Sequence, residues 1–307
     1  MNTSAARDTR DDALLIRAMN ASLLIGILLL GMKTWAAAIT GSAAIYSDAA
    51  ESVVHVLAVI FASYSLRLSR KPADENHHYG HEKAAFLSAG FEGAMIAAAA
   101  CMILYEGIDQ LLAGPTIRQT GLGIALTSAA AIINAVLGFI LIKRGRKQHS
   151  LILEANGKHV LTDVWTSLGV FAGLMLVLFT GNPIWDPLAA ILVALNILWT
   201  GWGLVRQSFD GLMDAADPAV EKMLREILQE ETSKRGLDFH QLRYRHTGRT
   251  HWVELHLVFP DGTTVEAAHT AATGIEAALN AKLEPAARII THLEPNSAAT
   301  LNEQWEA

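Results

Sequence analysis

The sequence predicts an α-helical membrane protein with six transmembrane helices, followed by a small α+β domain. The first observation is composition, because 51% of the 307 residues are hydrophobic and the mean hydropathy is +0.28. The second is a set of six apolar runs, each near the roughly 20 residues that a helix needs to cross a bilayer. The third is a change after Leu204, where charged residues become frequent and the long apolar runs give way to shorter helix and strand patterns. The predicted domains are residues 1–208 and 209–307.

The six predicted spans are interrupted by a few ionisable side chains. In chain order the spans cover residues 18–39, 43–66, 84–112, 121–142, 151–180 and 187–206. The interrupting residues are Lys33, Asp48, Glu51, His55, Glu92, Glu106, His159 and Asp163. Gly41-Ser42 predicts a tight hairpin between the first two spans. Cys101 is the single cysteine, which excludes an internal disulfide, and its place in an apolar run predicts small-residue packing.

The loop charges predict the orientation. The amino terminus is polar to about Asp12 and lacks the pattern of a cleaved signal peptide, so the first span is expected to remain in the mature protein. With that terminus inside, eleven basic residues fall on the cytoplasmic side and only Arg118 falls outside. The eleven are Arg7, Arg10, Arg17, Arg67, Arg70, Lys71, Lys83, Lys143, Arg144, Arg146 and Lys147. Basic residues favour cytoplasmic loops, so both termini are predicted to be cytoplasmic, in a cell inner (plasma) membrane.

The last hundred residues predict the order αββαβ. Asp217-Pro218 is typical of a helix start, and Gly236 fits its end. Two alternating runs, 239–246 and 251–259, predict a hairpin. A second helix over 264–283 and a last strand over 287–293 complete a sheet with one face covered by helices. The net charge of −6 argues against nucleic acid as a partner.

Two polar pairs inside the spans predict a metal site. Glu51 and His55 lie four residues apart in the second span, and His159 and Asp163 have the same spacing in the fifth. Residues at this spacing share one helix face. Ionisable groups at this depth mark a functional site by default, and two imidazoles with two carboxylates suit tetrahedral zinc. The alternative is that each pair is only a buried hydrogen bond between helices, and the two matched pairs argue against it. Asp48 is interpreted as lining the outer vestibule or capping.

Two further clusters are candidates for metal sites. In the loop after the second span, Asp74, His77 and His81 fall three and four residues apart, which fits either one gripped ion or a solvated polar loop. In the second domain, the candidates are His240, His256, His269, His292 and Glu294, which local patterning places on three strands and one helix. His246 and His251 flank the hairpin turn and are interpreted as surface histidines.

These motifs resemble those of the cation diffusion facilitator family over nearly the whole chain. The resemblance rests on Glu51–His55, His159–Asp163, the loop from Pro72 to Lys83, and the αββαβ domain. It implies a ferredoxin-like, metallochaperone-like cytoplasmic domain that senses metal and dimerises. It also implies that Asp74, His77 and His81 form a second metal site, and that His240, His256, His269, His292 and Glu294 form a third. Lys83 and Asp214 resemble a charge pair that holds the transmembrane bundle near the dimer axis.

The resemblance implies a transporter rather than an enzyme. Its function would be efflux of a divalent transition-metal ion by a homodimer that alternates between inward- and outward-facing states, with H⁺ as counter-ion. Zn²⁺ is the expected substrate and regulator, and Fe²⁺, Co²⁺, Cd²⁺ and Ni²⁺ are the alternatives. Two imidazoles make Mn²⁺ the least suitable ion. The Glu51/His55 pair departs from the family's usual Asp/Asp or His/Asp, and a changed selectivity is one expected consequence.

Two other classes of protein remain as alternatives. An intramembrane metalloenzyme would need an open coordination position and a general base. No His-Glu-x-x-His motif occurs, and the four intramembrane ligands are all expected on the ion. A metal-gated sensor or scaffold would bind the ion without moving it. Flux across a liposome membrane distinguishes the three classes.

Overall fold

The chain forms two compact units, residues Met1–Phe209 and Asp210–Ala307. The computed structural model describes the backbone of residues 2–40, 43–113, 121–283 and 287–298. Within these ranges, the side chains of 2–11, 36–37, 39–40, 43–51, 121–127, 170 and 174 are not described. The predicted hairpin at Gly41-Ser42 lies outside the described residues.

The first unit contains the six predicted helices, the last of which extends three residues past the boundary of the unit. They are α1 (Asn2–Thr40), α2 (Ala43–Ser69), α3 (Ala84–Ala113), α4 (Gly121–Lys147), α5 (Leu151–Thr180) and α6 (Trp185–Leu212). All six are long and apolar enough to cross a membrane, which confirms the predicted fold class. The helices extend beyond the predicted apolar spans. The clearest case is α1, which begins at Asn2 instead of residue 18, because Ala, Arg and Leu before that position favour helix.

Small residues bring two pairs of helices close together. Between α4 and α5, a Cβ on Gly157 would lie 2.7 Å from Ile142 Cγ1, and a Cβ on Gly145 would lie 2.7 Å from the Glu154 nitrogen. Between α3 and α6, a Cβ on Gly93 would lie 2.9 Å from the Gly201 oxygen. Packing of this kind is typical of helices in lipid, where small residues allow backbones to approach.

The second unit has the predicted order αββαβ. It consists of α7 (Pro218–Arg235), β1 (Asp238–His246), β2 (His251–Phe259), α8 (Val265–Lys282) and β3 (Ala287–Pro295). Asp217 caps α7 by accepting from the Ala219 nitrogen, and Gly236 ends it with a φ of 65°. The sheet order is β1-β2-β3, with β1 antiparallel and β3 parallel to the central β2.

The two helices cover one face of this sheet. Leu224 and Leu228 of α7 and Ile275 of α8 pack in one core with Val253 and Leu255 of β2. Side chains alternate between the two faces of a strand. His256, which follows Leu255, therefore lies on the face that the helices leave open.

Candidate metal centres

Two histidines from different helices meet inside the first unit. The ring centroids of His55 on α2 and His159 on α5 are 4.6 Å apart, and the ring planes are inclined by 59°. The Nδ1 atom of His55 is buried and has no hydrogen-bond partner among the described residues. An imidazole nitrogen in that condition is suited to bind a metal ion.

Asp163 follows on the same helix as His159. It is half-buried, and its Oδ2 atom accepts a hydrogen bond of 3.2 Å from Asn134 Nδ2 on α4. Its backbone oxygen accepts from Thr166 Oγ1 at 2.9 Å and from Ser167 Oγ at 2.8 Å. Both bonds lie near the middle of α5, at the residues that follow Asp163. The Asp163 carboxylate keeps further oxygen lone pairs that a cation can use.

Glu51 lies on α2 one turn before His55, but its side chain is outside the described residues, as is that of Asp48. The structure therefore brings His55 and His159 together and places Asp163 one turn from His159. The participation of Glu51 stays a prediction.

The loop residues Asp74, His77 and His81 form a compact group. Their ligand atoms lie within 4.8 Å of one another. His77 Nδ1 is 3.1 Å from Asp74 Oδ1, and His81 Nε2 is 3.4 Å from Asp74 Oδ2. The three side chains are close enough to bind one ion, and that they do so stays a prediction. Among the described residues, His78 is not part of this group; its Nε2 atom lies 3.0 Å from the backbone oxygen of Glu75.

The backbone of this loop holds Asp74 in place. Asp74 Oδ1 accepts from the backbone nitrogen of Asn76 at 3.0 Å and from that of His77 at 2.8 Å. Desolvation raises the pKa of Asp74, but the hydrogen bonds from His77 and Asn76 outweigh it and bring the pKa below its usual value. The carboxylate is thus ionised and ready to bind a cation at neutral pH.

Strand register aligns three histidines across the open face of the sheet. His240 on β1 is opposite His256 on β2, and His256 is opposite His292 on β3. The ring centroids are 5.0 Å apart for the first pair and 4.6 Å for the second. Two residues after His292, Glu294 points to the same face and is 4% exposed.

Glu294 joins these histidines into one cluster. His240 Nε2 pairs with Glu294 Oε1, His256 Nδ1 is 3.6 Å from Glu294 Oε2, and His292 Nε2 is 4.0 Å from that oxygen. The ligand atoms of His240, His256 and Glu294 lie within 4.8 Å of one another. Burial lowers the pKa of His256, and the Glu294 carboxylate opposes that shift. A neutral imidazole is the form that binds metal.

His269 does not join this cluster within the described protomer. It is exposed near the start of α8, the helix that covers the opposite, core face of the sheet. The expectation that four histidines converge on one face thus holds for three of them. Local patterning placed His269 on the correct helix but could not give the face on which that helix packs.

Three other sequence interpretations need correction or stay open. His251 is buried at 5% exposure, with Nδ1 3.0 Å from the Tyr244 hydroxyl, so it is not a surface histidine. Cys101 is exposed on α3, so it does not fill the packing role predicted for it. Asp214 lies 3.7 Å from Arg245 within the second unit, and Lys83 belongs to the first, so their charge pair stays a prediction.

Sequence reasoning also missed two polar residues. Asn134, which bonds Asp163, is 5% exposed, and the only signal for it was one amide within the fourth apolar span. Glu92 is 1% exposed on α3, and its signal was an acid within the third span, to which no role was given.

The chain is similar to known proteins over nearly its whole length. Residues 19–213 match the family model described as the cation efflux transmembrane domain, and residues 216–296 match that of the cation efflux protein, cytoplasmic domain. An uncharacterized transporter of Synechocystis sp. is 39% identical over 283 residues, covering 90% of this chain and 89% of that protein. The cation-efflux pump FieF of Cronobacter sakazakii is 30% identical over 294 residues, covering 95% and 97%. That of Serratia proteamaculans is 30% identical over 292 residues, covering 94% and 96%.

Proposed function

The chain belongs to the cation efflux family, the cation diffusion facilitators, and we propose that it exports Zn²⁺ from the cytoplasm in exchange for protons. Members of this family are transporters of divalent metal cations and not enzymes, so this is a multi-pass membrane transporter. We propose three things beyond the family: the identity of the ion, its exchange for protons and the direction of transport.

The observation that carries the proposal is the meeting of His55 and His159 between α2 and α5. Titratable side chains inside a membrane-spanning bundle cost free energy, so their presence there indicates a functional site. With the Asp163 carboxylate one turn away and Glu51 one turn before His55, the site offers nitrogen and oxygen ligands in the number that zinc prefers.

The same ligands favour zinc over harder ions. Imidazole suits Zn²⁺, Fe²⁺, Co²⁺, Ni²⁺ and Cd²⁺, whereas Mn²⁺ prefers a site made mostly of oxygen. Fe²⁺, Co²⁺, Cd²⁺ and Ni²⁺ are therefore the competing substrates. The Glu51/His55 pair, with one long carboxylate arm and one imidazole, is the feature expected to set the order among them.

Exchange with protons follows from ligand chemistry. A histidine or carboxylate must be free of its proton to bind a metal ion, so release of metal and uptake of protons are linked. Histidine changes its charge near neutral pH, which allows a modest pH gradient to drive the exchange.

The cytoplasmic domain is proposed to be the sensor and the dimerisation element. The match of residues 216–296 to a family cytoplasmic domain supports the orientation with both termini inside, in the cell inner membrane. Zinc bound by His240, His256 and Glu294 would tighten a homodimer, and removal of His240, His256 and His292 would abolish the dependence of transport on cytoplasmic zinc. Unchanged dependence in that variant would refute the sensing role.

The proposal is tested by competition flux assays in liposomes with an imposed pH gradient. Zinc, iron, cobalt, cadmium, nickel and manganese compete in the parent and in His55→Asp. We expect zinc to be preferred, flux to require the pH gradient, and His55→Asp to change the selectivity order. An unchanged selectivity order in His55→Asp would refute the role given to the Glu51/His55 pair. Metal binding without flux would favour a sensor or scaffold.

A further inference from the structure

Glu92 is a buried carboxyl group that the proposed transport site does not use. It lies on α3 at 1% exposure, and neither carboxyl oxygen has a hydrogen-bond partner among the described residues. Ser88, one turn earlier on the same helix, is fully buried, and its hydroxyl oxygen likewise has no described partner. A buried carboxylate without a partner costs several kcal/mol in a membrane-spanning bundle, so its retention calls for a functional reason.

Helix packing brings α3, which carries Glu92, against α5, which carries His159. Ala89 of α3 and Ala155 of α5 belong to the same core cluster. The two helices are separated by one span, α4, so they run in the same direction across the bundle. Glu92 comes three residues after Ala89, and His159 comes four residues after Ala155. Each step is about one helical turn, and Glu92 and His159 each lie eight residues after the first residue of their helix, so we expect them at similar depth.

Among the described residues, no basic side chain donates a hydrogen bond to the Glu92 carboxyl group. On the α6 side, the neighbouring Gly93 packs against Gly201 and Leu204. On α5, Lys158 is already paired with Glu154 at 3.0 Å. His55 on α2 and His159 on α5 are metal ligands in the proposed function, and the basic Lys33 lies on α1, near His55. A buried carboxyl group can stay neutral by holding its proton, and a cation that passes through the bundle can take the place of that proton.

We propose that Glu92 is a further ligand of the transported cation, and that its carboxylate binds the ion beside His159 during part of the transport cycle. This inference rests on the proposed function. A carboxylate oxygen next to an imidazole is a suitable donor pair for zinc and similar ions. Because α3 contributes no other ligand to the transmembrane site, binding at Glu92 would connect a third helix to the passage of the ion.

The test compares Glu92→Gln with Glu92→Asp in full-length protein. Glu92→Gln removes the charge and keeps the shape, and it is expected to reduce zinc flux about tenfold or more, in the range found when groups that support a metal site are lost. Glu92→Asp keeps a carboxylate and is expected to retain part of the flux. Removing an unpaired buried charge should not destabilise the fold, so the metal-free Glu92→Gln protein should melt at or above the parent temperature.

A second readout follows zinc binding without transport. Zinc is expected to raise the melting temperature of the parent by more than that of Glu92→Gln, because binding to the folded state stabilises it. Glu106→Gln is the matched control: it changes an exposed acid on the same helix and should behave as the parent.

Each outcome has a defined meaning. Parent-like flux in Glu92→Gln overturns this inference and leaves the proposed function intact. Lost flux together with a lowered melting temperature and no recovery in Glu92→Asp assigns Glu92 a structural role and also overturns it. Absence of zinc flux in the parent refutes the proposed function itself.

Discussion

His55 and His159 approach to 4.6 Å between ring centroids although they are 104 residues apart in the chain (159 − 55). The contact joins α2 to α5, and it is the point where the two polar pairs of the sequence come together. Since α5 also carries Asp163, a change at that residue tests the site without altering the histidine contact.

Asp163→Ala is expected to abolish zinc flux in liposomes. Loss of a charged direct ligand should exceed the roughly 100-fold effect seen for outer partners of metal ligands. Flux is measured by an encapsulated zinc indicator. Asp109→Asn, which changes an exposed acid on α3, serves as the control. Full-speed transport by Asp163→Ala would mean that the ion passes elsewhere.

Asn134→Leu should weaken transport without eliminating it. The substitution removes the hydrogen bond of 3.2 Å that positions the Asp163 carboxylate. Outer partners of this kind are worth about 10- to 100-fold in metal affinity or activity. We expect the apparent KM for zinc to rise by about that factor in flux assays. An unchanged KM would show that Asp163 is positioned by other contacts.

The loop group is expected to bind one zinc ion per protomer. His81→Ala removes one of three ligand side chains, so equilibrium dialysis should find one bound ion fewer than in the parent. His78→Ala is the matched control, because His78 lies in the same loop but its ring contacts the Glu75 backbone instead of the group. Equal stoichiometry in the parent and His81→Ala would contradict the site.

The cytoplasmic cluster should lose stability in acid. Burial lowers the pKa of His256 from 6.5, which favours the neutral imidazole in the folded state. The stabilisation it contributes is therefore present above pH 6.5 and is lost as the pH falls through the lowered pKa. In metal-free full-length protein, His256→Gln is expected to flatten the fall in melting temperature on acidification. His269→Gln, at an exposed position, should keep the parent slope.

Ionisation of the Tyr244 hydroxyl should lower stability only at high pH. Burial, with a further contribution from Asp217, raises the pKa of Tyr244 from 10.0 to about 12. Because the folded pKa is the higher one, its contribution is complete below pH 10.0 and is lost as the pH rises through about 12. Tyr244→Phe should lose about 1 kcal/mol of unfolding free energy at neutral pH, with the hydrogen bond to His251.

Ultraviolet titration checks the same variant. The sequence contains five tyrosines, and Tyr244→Phe should remove the phenol that titrates near pH 12. A parent-like titration curve would show that the Tyr244 hydroxyl is not shielded as the contact with His251 implies.

The sequence predicted the features that depend on local patterns of apolar and polar residues. Six long apolar runs, the helix start at Asp217 and the alternating strands all depend on neighbours in the chain, and the structure confirms the fold class they indicate. The loop group could be proposed for the same reason, because Asp74, His77 and His81 meet within eight residues.

The spacing of residues in the sequence could not predict contacts between elements that are distant in the chain. The bond from Asn134 to Asp163 depends on how α4 packs on α5, and the position of His269 depends on which sheet face α8 covers. Burial of His251 depends on its cross-strand neighbours. In each case the residue type was visible in the sequence and its surroundings were not.

The close approach of α4 to α5 bears on how the protein would alternate between its two states. Where glycine lets two backbones touch, as at Gly145 and Gly157, sliding or tilting one helix against the other would cause immediate clashes. We thus expect α4 and α5 to move as one rigid body that carries His159 and Asp163. The movement that opens the pathway would then fall at the border with α2, and the distance between His55 and His159 would report on it.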